Sequence, residues 1–253
     1  MRGVAWRVAA LCGLLFSLLL PALPATAAPA RIILLRHGEK GGPWILCDIG
    51  RERARALAAY YIGKDAQKSL FRPGETPKAI LGISLHTLET IYPVADSWGM
   101  PVTFYAVMPE MVDGRFVIVN ERLNQRTREA ARDMLERPEW AGQTLVVNWE
   151  HDHITKPNLN VKTSAAGAGG SAPGTVPAVT LYDLLGLAAL PGVPDNWPGD
   201  TYDYFWIIDF DQATGKPTAL TMLKQEFGPP FENLPQNGWG EPEGQAAAAT
   251  CTP

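Results

Sequence analysis

Four short apolar runs, Arg31–Leu35, Lys78–Ser84, Val102–Tyr105 and Thr144–Trp149, alternate along the chain with segments of helical periodicity. A continuous apolar run of that length reads as a strand buried on both faces. The intervening segments place Ala and Leu three and four residues apart. Gly50–Tyr61, His86–Trp98 and the stretch from Val119 to before Pro138 each read as a helix, the second closed by Gly99 and Pro101. Strands that alternate with helices predict an α/β fold: a three-layer sandwich with a mostly parallel central sheet and helices on both faces. Later, Thr180–Leu190 reads as a short helix. Tyr202–Phe210 and Pro217–Glu226 read as two strands joined by the turn Asp211–Gly215, an antiparallel extension of the sheet.

Before the first strand lies a different kind of segment. Met1–Arg7 carries two arginines and no acid, Ala9–Leu20 is apolar, and Ala25-Thr26-Ala27 is a small-x-small site. This is the layout of a secretory signal peptide, with the cut placed after Ala27 because Pro29 hinders a later one. The apolar run is short for a membrane anchor. Of 253 residues, removal of 27 leaves 226, and loss of two arginines takes the formal charge from −4 to −6. The expected compartment is a bacterial periplasm or the outside medium. Cys47 and Cys251 then remain, and they either pair or stay apart; no spacing typical of a zinc site involves them. Acidic residues (26) outnumber Lys and Arg (22) and no basic run occurs, so a nucleic-acid partner is not expected. No membrane association is expected after cleavage. Residues 156–179 are rich in Gly, Ala, Ser, Pro and Thr and read as a flexible loop, over the site or merely inserted. The tail from Gly228 reads as irregular.

Ligands of open α/β sheets bind beyond the carboxyl ends of the strands. The chain has only four histidines, and all of them follow strands: His37 the first, His86 the second, His151 and His153 the fourth. In a parallel sheet they emerge along one edge. Arg36-His37-Gly38-Glu39 is the sharpest local signal. A guanidinium can grip phosphate oxygens in bidentate fashion, and a neutral imidazole beside it can attack phosphorus. The glycine lets the backbone approach a bound anion.

The segment Leu34–Lys40 (LLRHGEK) resembles the signature of the histidine phosphatase superfamily, the phosphoglycerate-mutase-like phosphatases. Three further segments fit in order. Gly50–Leu57 is similar to G-x-x-R-A-x-x-L. His86–Thr90 with Pro93 and Ala95 is similar to R-x-x-E-T-x-x-P-x-A. Val146–His151 is similar to the strand that leads to a second catalytic histidine. The resemblance covers Arg31 to about Ile154. It implies a phosphomonoester hydrolase that works through a phosphohistidine, without metal or other cofactor, on a phosphorylated small molecule or phosphopeptide. His37 would be the nucleophile, with Arg36 and His151 holding the phosphoryl group. Export disfavours a glycolytic mutase role.

The chain departs from the pattern at His86, where the family has its second arginine. That departure keeps a weak or inactive phosphate-binding homologue in view. The general acid is expected at Asp152, beside His151, with Glu110 as the alternative. Glu39 and Lys40 are expected at the pocket with His86, and Lys40, Arg53, Lys78 and Arg115 could make it locally basic. The rival constellation is a metal-dependent hydrolase built on His151-x-His153 with Asp152 and Glu150, which requires a turn at Asp152 for both rings to converge.

Overall fold

The structure, a computed structural model, describes residues 27–42, 44–112, 114–162, 175–241 and Cys251. The expected signal segment, up to residue 26, lies outside the described residues. Its centre is a mixed six-stranded sheet. The strands are β1 (Arg31–Arg36), β2 (Pro77–Gly82), β3 (Val102–Phe104), β6 (Thr144–Trp149), β9 (Tyr204–Phe210) and β10 (Pro217–Lys224). They lie in the order β10-β9-β1-β6-β2-β3. β1 pairs parallel to β6, β6 to β2 and β2 to β3, whereas β9 and β10 run antiparallel at the other edge. Two small antiparallel pairs lie outside the sheet: β4 (Glu110–Val112) with β5 (Arg115–Val117), and β7 (Asn160–Lys162) with β8 (Thr175–Pro177).

Alternate side chains of β1 enter two separate cores. Ile32 and Leu34 join Leu123 and Ala130 of α3 (Asn120–Glu136) and Leu181 of α5 (Leu181–Leu184). Ile33 and Leu35 join Ala56 and Leu57 of α1 (Asp48–Leu57) and Ile91 and Val94 of α2 (Leu85–Trp98). All four β1 side chains are fully buried. Such burial is worth about 1.5–3 kcal/mol each, which accounts for the absence of polar alternation in the run.

Local chemistry sets the element ends. Ser84 caps α2 in a reciprocal capping box with Thr87, and Gly99 closes the helix at φ 62°. α1 begins at Asp48, earlier than the sequence pattern indicates, and continues into a π-helical turn, Ala58–Ile62. The expected helix Thr180–Leu190 is broken. Gly186, at φ 71°, separates α5 from a 3₁₀ turn at Leu187–Ala189.

Within residues 156–179, read from the sequence as a flexible loop, β7 and β8 pair as a short hairpin. Backbone hydrogen bonds zip its two ends together, and residues 163–174 lie outside the described residues. The segment 228–241 has neither helix nor strand, yet it is anchored. Leu234 is buried, the Asn237 N–H donates to Asp203 Oδ2 at 2.8 Å, and Trp239 packs against Trp197 and Trp206. Cys47 and Cys251 are disulfide-bonded, tying Cys251 to the residue that precedes α1. Among the described residues no helix is long and apolar enough to cross a membrane.

Candidate functional site

Because β1, β6 and β2 are parallel, their carboxyl ends share one edge of the sheet. Arg36 and His37 leave β1 there. Glu150 and His151 leave β6 and open the short helix α4 (His151–Ile154), while Ser84 and His86 leave β2 and open α2. The His37 ring lies 5.8 Å, centroid to centroid, from both His86 and His151. Three of the four histidines therefore converge as the sequence implies. His153, two positions along α4, does not join them. Residues two apart on a helix point to nearly opposite sides, and His153 is buried with no hydrogen-bond partner on either ring nitrogen. The His151-x-His153 metal pair is thus ruled out by the helical turn after β6.

The loop after β1 is held by backbone approach. A Cβ on Gly50 would meet the Glu39 carbonyl oxygen at 2.3 Å, and one on Gly38 would meet the Gly50 oxygen at 3.0 Å. Both glycines are needed so that this loop can rest on the first turn of α1, which is a different role for Gly38 from the anion approach expected of it. The Gly38 N–H also donates to Thr90 Oγ1 of α2 at 2.8 Å. Glu39, expected at the pocket, lies beneath it instead. Its carboxylate takes three hydrogen bonds from the buried Arg53 guanidinium, at 2.6–3.1 Å, which also removes Arg53 as a free basic group. Lys78 sits near the amino end of β2, at the opposite edge from the cluster.

His37 Nδ1 lies 2.7 Å from the Gly38 carbonyl oxygen. A carbonyl only accepts, so Nδ1 carries the proton and Nε2 presents its lone pair. That lone pair faces Glu150 Oε2 at 3.3 Å and Arg36 Nη2 at 3.5 Å. Arg36 is buried and strongly held. Its Nη1 donates to the carbonyls of Pro198, Gly199 and Thr201, its Nη2 donates to His151 Nδ1 at 3.2 Å, and its guanidinium lies 3.9 Å over the Tyr202 ring. His151 Nε2 in turn faces Asp152 Oδ1 at 3.2 Å. Asp152, the expected acid, also accepts from Lys156 at 2.8 Å, so His151 stands between it and Arg36. Glu110 lies on β4 and pairs with Arg122 of α3.

The centre of the cluster is Glu150, which the sequence reading named only as a neighbour of a metal pair. Its carboxylate accepts from Ser84 Oγ at 2.5 Å and Lys40 Nζ at 3.0 Å, and lies 3.9 Å from His86 Nδ1. His86 Nε2 is 2.7 Å from the Gly42 carbonyl, so its Nδ1 is the lone-pair nitrogen; that buried atom has no hydrogen-bond partner. Arg36 Nε is likewise buried without one.

Burial lowers the pKa of His37 to about 4, with Lys40 and Arg36 acting in the same direction. Burial also lowers His86 and drives His151 far below the usual histidine range, the latter with help from Arg36. All three rings are neutral at pH 7. Burial alone would raise Glu150, yet its pKa is held well below the ordinary carboxylate value. The adjacent His37 ring comes first in lowering it, followed by the Lys40 ammonium and the Ser84 hydroxyl.

The site can therefore offer a neutral imidazole nitrogen with a free lone pair, one fixed cationic donor in Arg36, a part-exposed lysine and one buried carboxylate. One ligand atom each from His37, Glu150 and His151 lies within 4.8 Å of the others, a grouping able to hold a metal ion. A groove of about 920 Å³ runs along the other face of α2 beside Trp44, Leu88, Tyr92 and Phe104 and includes no member of the cluster. The adjacency of Glu150 to His151 at a strand end was the signal that could have drawn attention to it. Ser84 and Tyr202 carried no comparable signal. The chain matches no protein-family model and no curated protein sequence.

Proposed function

We propose that the protein is an exported phosphomonoester hydrolase of the histidine phosphatase type, working through a phosphohistidine. The observation that carries this reading is the His37 tautomer: Nδ1 is tied to the Gly38 carbonyl and Nε2 is turned toward Arg36 Nη2 and the Glu150 carboxylate. The finer architecture proposed with it is the mostly parallel three-layer sandwich. The two cores on opposite faces of β1 support it.

In this reading His37 Nε2 attacks phosphorus in line as the ester P–O bond breaks. Arg36 Nη2 and the unpartnered Nε supply charge and hydrogen bonds to the phosphoryl oxygens, and Asp152 orients His151 beside them. Glu150 replaces Asp152 as the favoured acid. Beside an incoming phosphate dianion its carboxylate takes up a proton, because two adjacent anions disfavour joint ionisation. That proton passes to the leaving oxygen. The carboxylate then accepts a proton from the water that opens the phosphohistidine, and as phosphate departs it releases that proton to solvent, which restores the ionised resting state.

The substrate class is a phosphorylated small molecule or phosphopeptide, with no nucleic acid and no membrane partner after signal cleavage. The disulfide between Cys47 and Cys251 supports a secreted or periplasmic location, since such bonds persist in oxidising compartments. A second reading, a phosphate-binding homologue without turnover, is favoured by one observation. His86 stands where the resembled pattern has its second arginine; its Nε2 is tied to the Gly42 carbonyl and burial lowers its pKa, so the pocket lacks a second fixed cation.

Brief exposure of the purified protein to a labelled aryl phosphate, with and without chelator, tests both. An acid-labile, base-stable phosphoenzyme that vanishes in His37→Ala supports hydrolysis. Phosphate binding without a phosphoenzyme leaves the binder. Wild-type turnover by His37→Ala sinks the mechanism.

A further inference from the structure

We propose that His37, Glu150 and His151 form a site for one divalent transition-metal ion, with zinc the best match, and that this ion and a phosphoryl group exclude one another. Metal binding itself is independent of the phosphatase reading; only the mutual exclusion rests on it.

The geometry is already close to coordination. His37 Nε2 and Glu150 Oε2 face each other at 3.3 Å, and in the tautomer set by Gly38 both are acceptors. Two lone pairs at that separation repel unless a proton or a cation lies between them. Zinc bonds of 2.0–2.1 Å at tetrahedral angles place ligand atoms about 3.3 Å apart, so the pair has the spacing of one edge of a zinc tetrahedron. His151 Nδ1 completes a set of three donors within 4.8 Å. A fourth position stays open for water or for His86 Nδ1, which lies 3.9 Å from Glu150 Oε1 and has no hydrogen-bond partner.

The outer partners match what metal ligands require. A ligating histidine gives its other N–H to a carbonyl or carboxylate, which fixes the tautomer and the ring. His37 Nδ1 has the Gly38 carbonyl at 2.7 Å and His151 Nε2 has Asp152 at 3.2 Å. Glu150 Oε1 accepts from Ser84, which leaves Oε2 turned to the cluster. Two imidazoles and one carboxylate suit zinc better than magnesium or calcium, which prefer oxygen alone.

Two cations must give way. Lys40 is part-exposed and can swing off Glu150 Oε2. Arg36 would give up its 3.2 Å bond to His151 Nδ1 but retains three backbone carbonyls and the Tyr202 ring. Coordination uses the lone pair on His37 Nε2, so the metal-bound protein has no free nucleophile. The ion would act as a reversible block on the site.

The test is calorimetric titration of the purified full chain with Zn²⁺ in a phosphate-free, non-coordinating buffer, alongside Co²⁺ titration followed by visible absorption. One equivalent is expected, with the absorption of four-coordinate cobalt. Inorganic phosphate should weaken binding of the ion. Glu150→Gln and His151→Gln should each lose at least tenfold in zinc affinity and His153→Gln should not, each variant being checked for native circular dichroism. Proton NMR of the wild-type cobalt form requires no variant. Two paramagnetically shifted exchangeable N–H signals are expected, from His37 Nδ1–H and His151 Nε2–H. Absence of one-equivalent binding, absence of both shifted signals, or equal affinity in the three variants overturns the site. Binding that phosphate leaves unchanged overturns the exclusion. A missing phosphoenzyme, by contrast, counts against the phosphatase reading and leaves these metal readouts unaffected.

Discussion

Two buried carboxylates, Glu39 and Glu150, follow neighbouring parallel strands, yet their surroundings differ in kind. Glu39 is gripped by the Arg53 guanidinium, whose side chain is as buried as its own. Glu150 meets a part-exposed lysine, a serine hydroxyl and a neutral imidazole whose lone pair faces it. The first arrangement is a buried, multiply hydrogen-bonded ion pair. The second leaves two acceptors opposed and one flexible cation, so it responds to a proton, a metal ion or a phosphate. Close to the same histidine, His37, one carboxylate is locked in an ion pair and the other is open to change.

The largest effect should come from breaking the Glu39–Arg53 pair. Removing one partner of a buried ion pair strands the other charge and costs about 3–5 kcal/mol. Glu39→Gln and Arg53→Met should each lower the thermal midpoint by roughly 6–20 °C, at about 2–4 °C per kcal/mol for a chain of this size. Glu150→Gln keeps the Ser84 contact as an amide acceptor and should shift the melt far less. Equal losses in melting experiments at pH 7 would erase the distinction between the two residues.

Next in size is the catalytic contrast. If Glu150 protonates the leaving group, Glu150→Gln should slow alkyl phosphates by ~10²–10⁴, the range of general acid catalysis. Nitrophenyl phosphate, whose leaving group is stable as an anion, should slow much less. Asp152→Asn should slow both substrates modestly and alike, since Asp152 acts through His151, and Glu110→Gln should do little. A leaving-group dependence in Asp152→Asn but not in Glu150→Gln would return the acid to Asp152.

The difference between these carboxylates was invisible in the sequence for a physical reason. Strand positions were legible because apolar runs such as Ile32–Leu35 and Leu145–Val147 are buried on both faces, and their shortness and β-branched residues favour a strand over a helix. Convergence of His37, His86 and His151 was legible because parallel strands share one carboxyl edge. What a side chain does beyond that edge depends on long-range partners. Glu39 meets Arg53 through the Gly38–Gly50 backbone contact, and Glu150 meets Ser84 across 66 residues. The short pairs β4–β5 and β7–β8 escaped notice because three-residue strands carry too little pattern.

Acid should separate the two sides of the site as well. Burial pushes His37 and His153 to about 4 and lowers His86 and His151. A histidine whose folded pKa lies below its unfolded value of about 6.5 binds protons more readily when unfolded. Its neutral-state stability is complete above pH 6.5 and is lost as the pH falls toward 4. The depressed Glu150 adds a further loss below its unfolded value. Thermal midpoints should therefore fall between pH 7 and pH 5. His153→Leu, which removes two unpartnered nitrogens, should lessen that fall and change turnover little. A pH-independent midpoint in the wild type would contradict burial of neutral rings.

The smallest effect is expected at the departure from the family pattern. His86→Arg restores a permanent cation, and in an open anion pocket that would strengthen phosphate binding by about 1 kcal/mol or more, the scale of a charged hydrogen bond. Here the nearest anion is internal: Glu150 Oε1 lies 3.9 Å from His86 Nδ1. The new arginine would pair with Glu150 first, so the single variant should gain little, about twofold in phosphate inhibition, as the internal pair must break. Glu150→Gln removes that competitor. The double variant should then bind phosphate more tightly than the two single effects predict, by a coupling of roughly 0.5–3 kcal/mol for residues in one network. Strict additivity in inhibition constants would mean that His86 and Glu150 do not share one anion position.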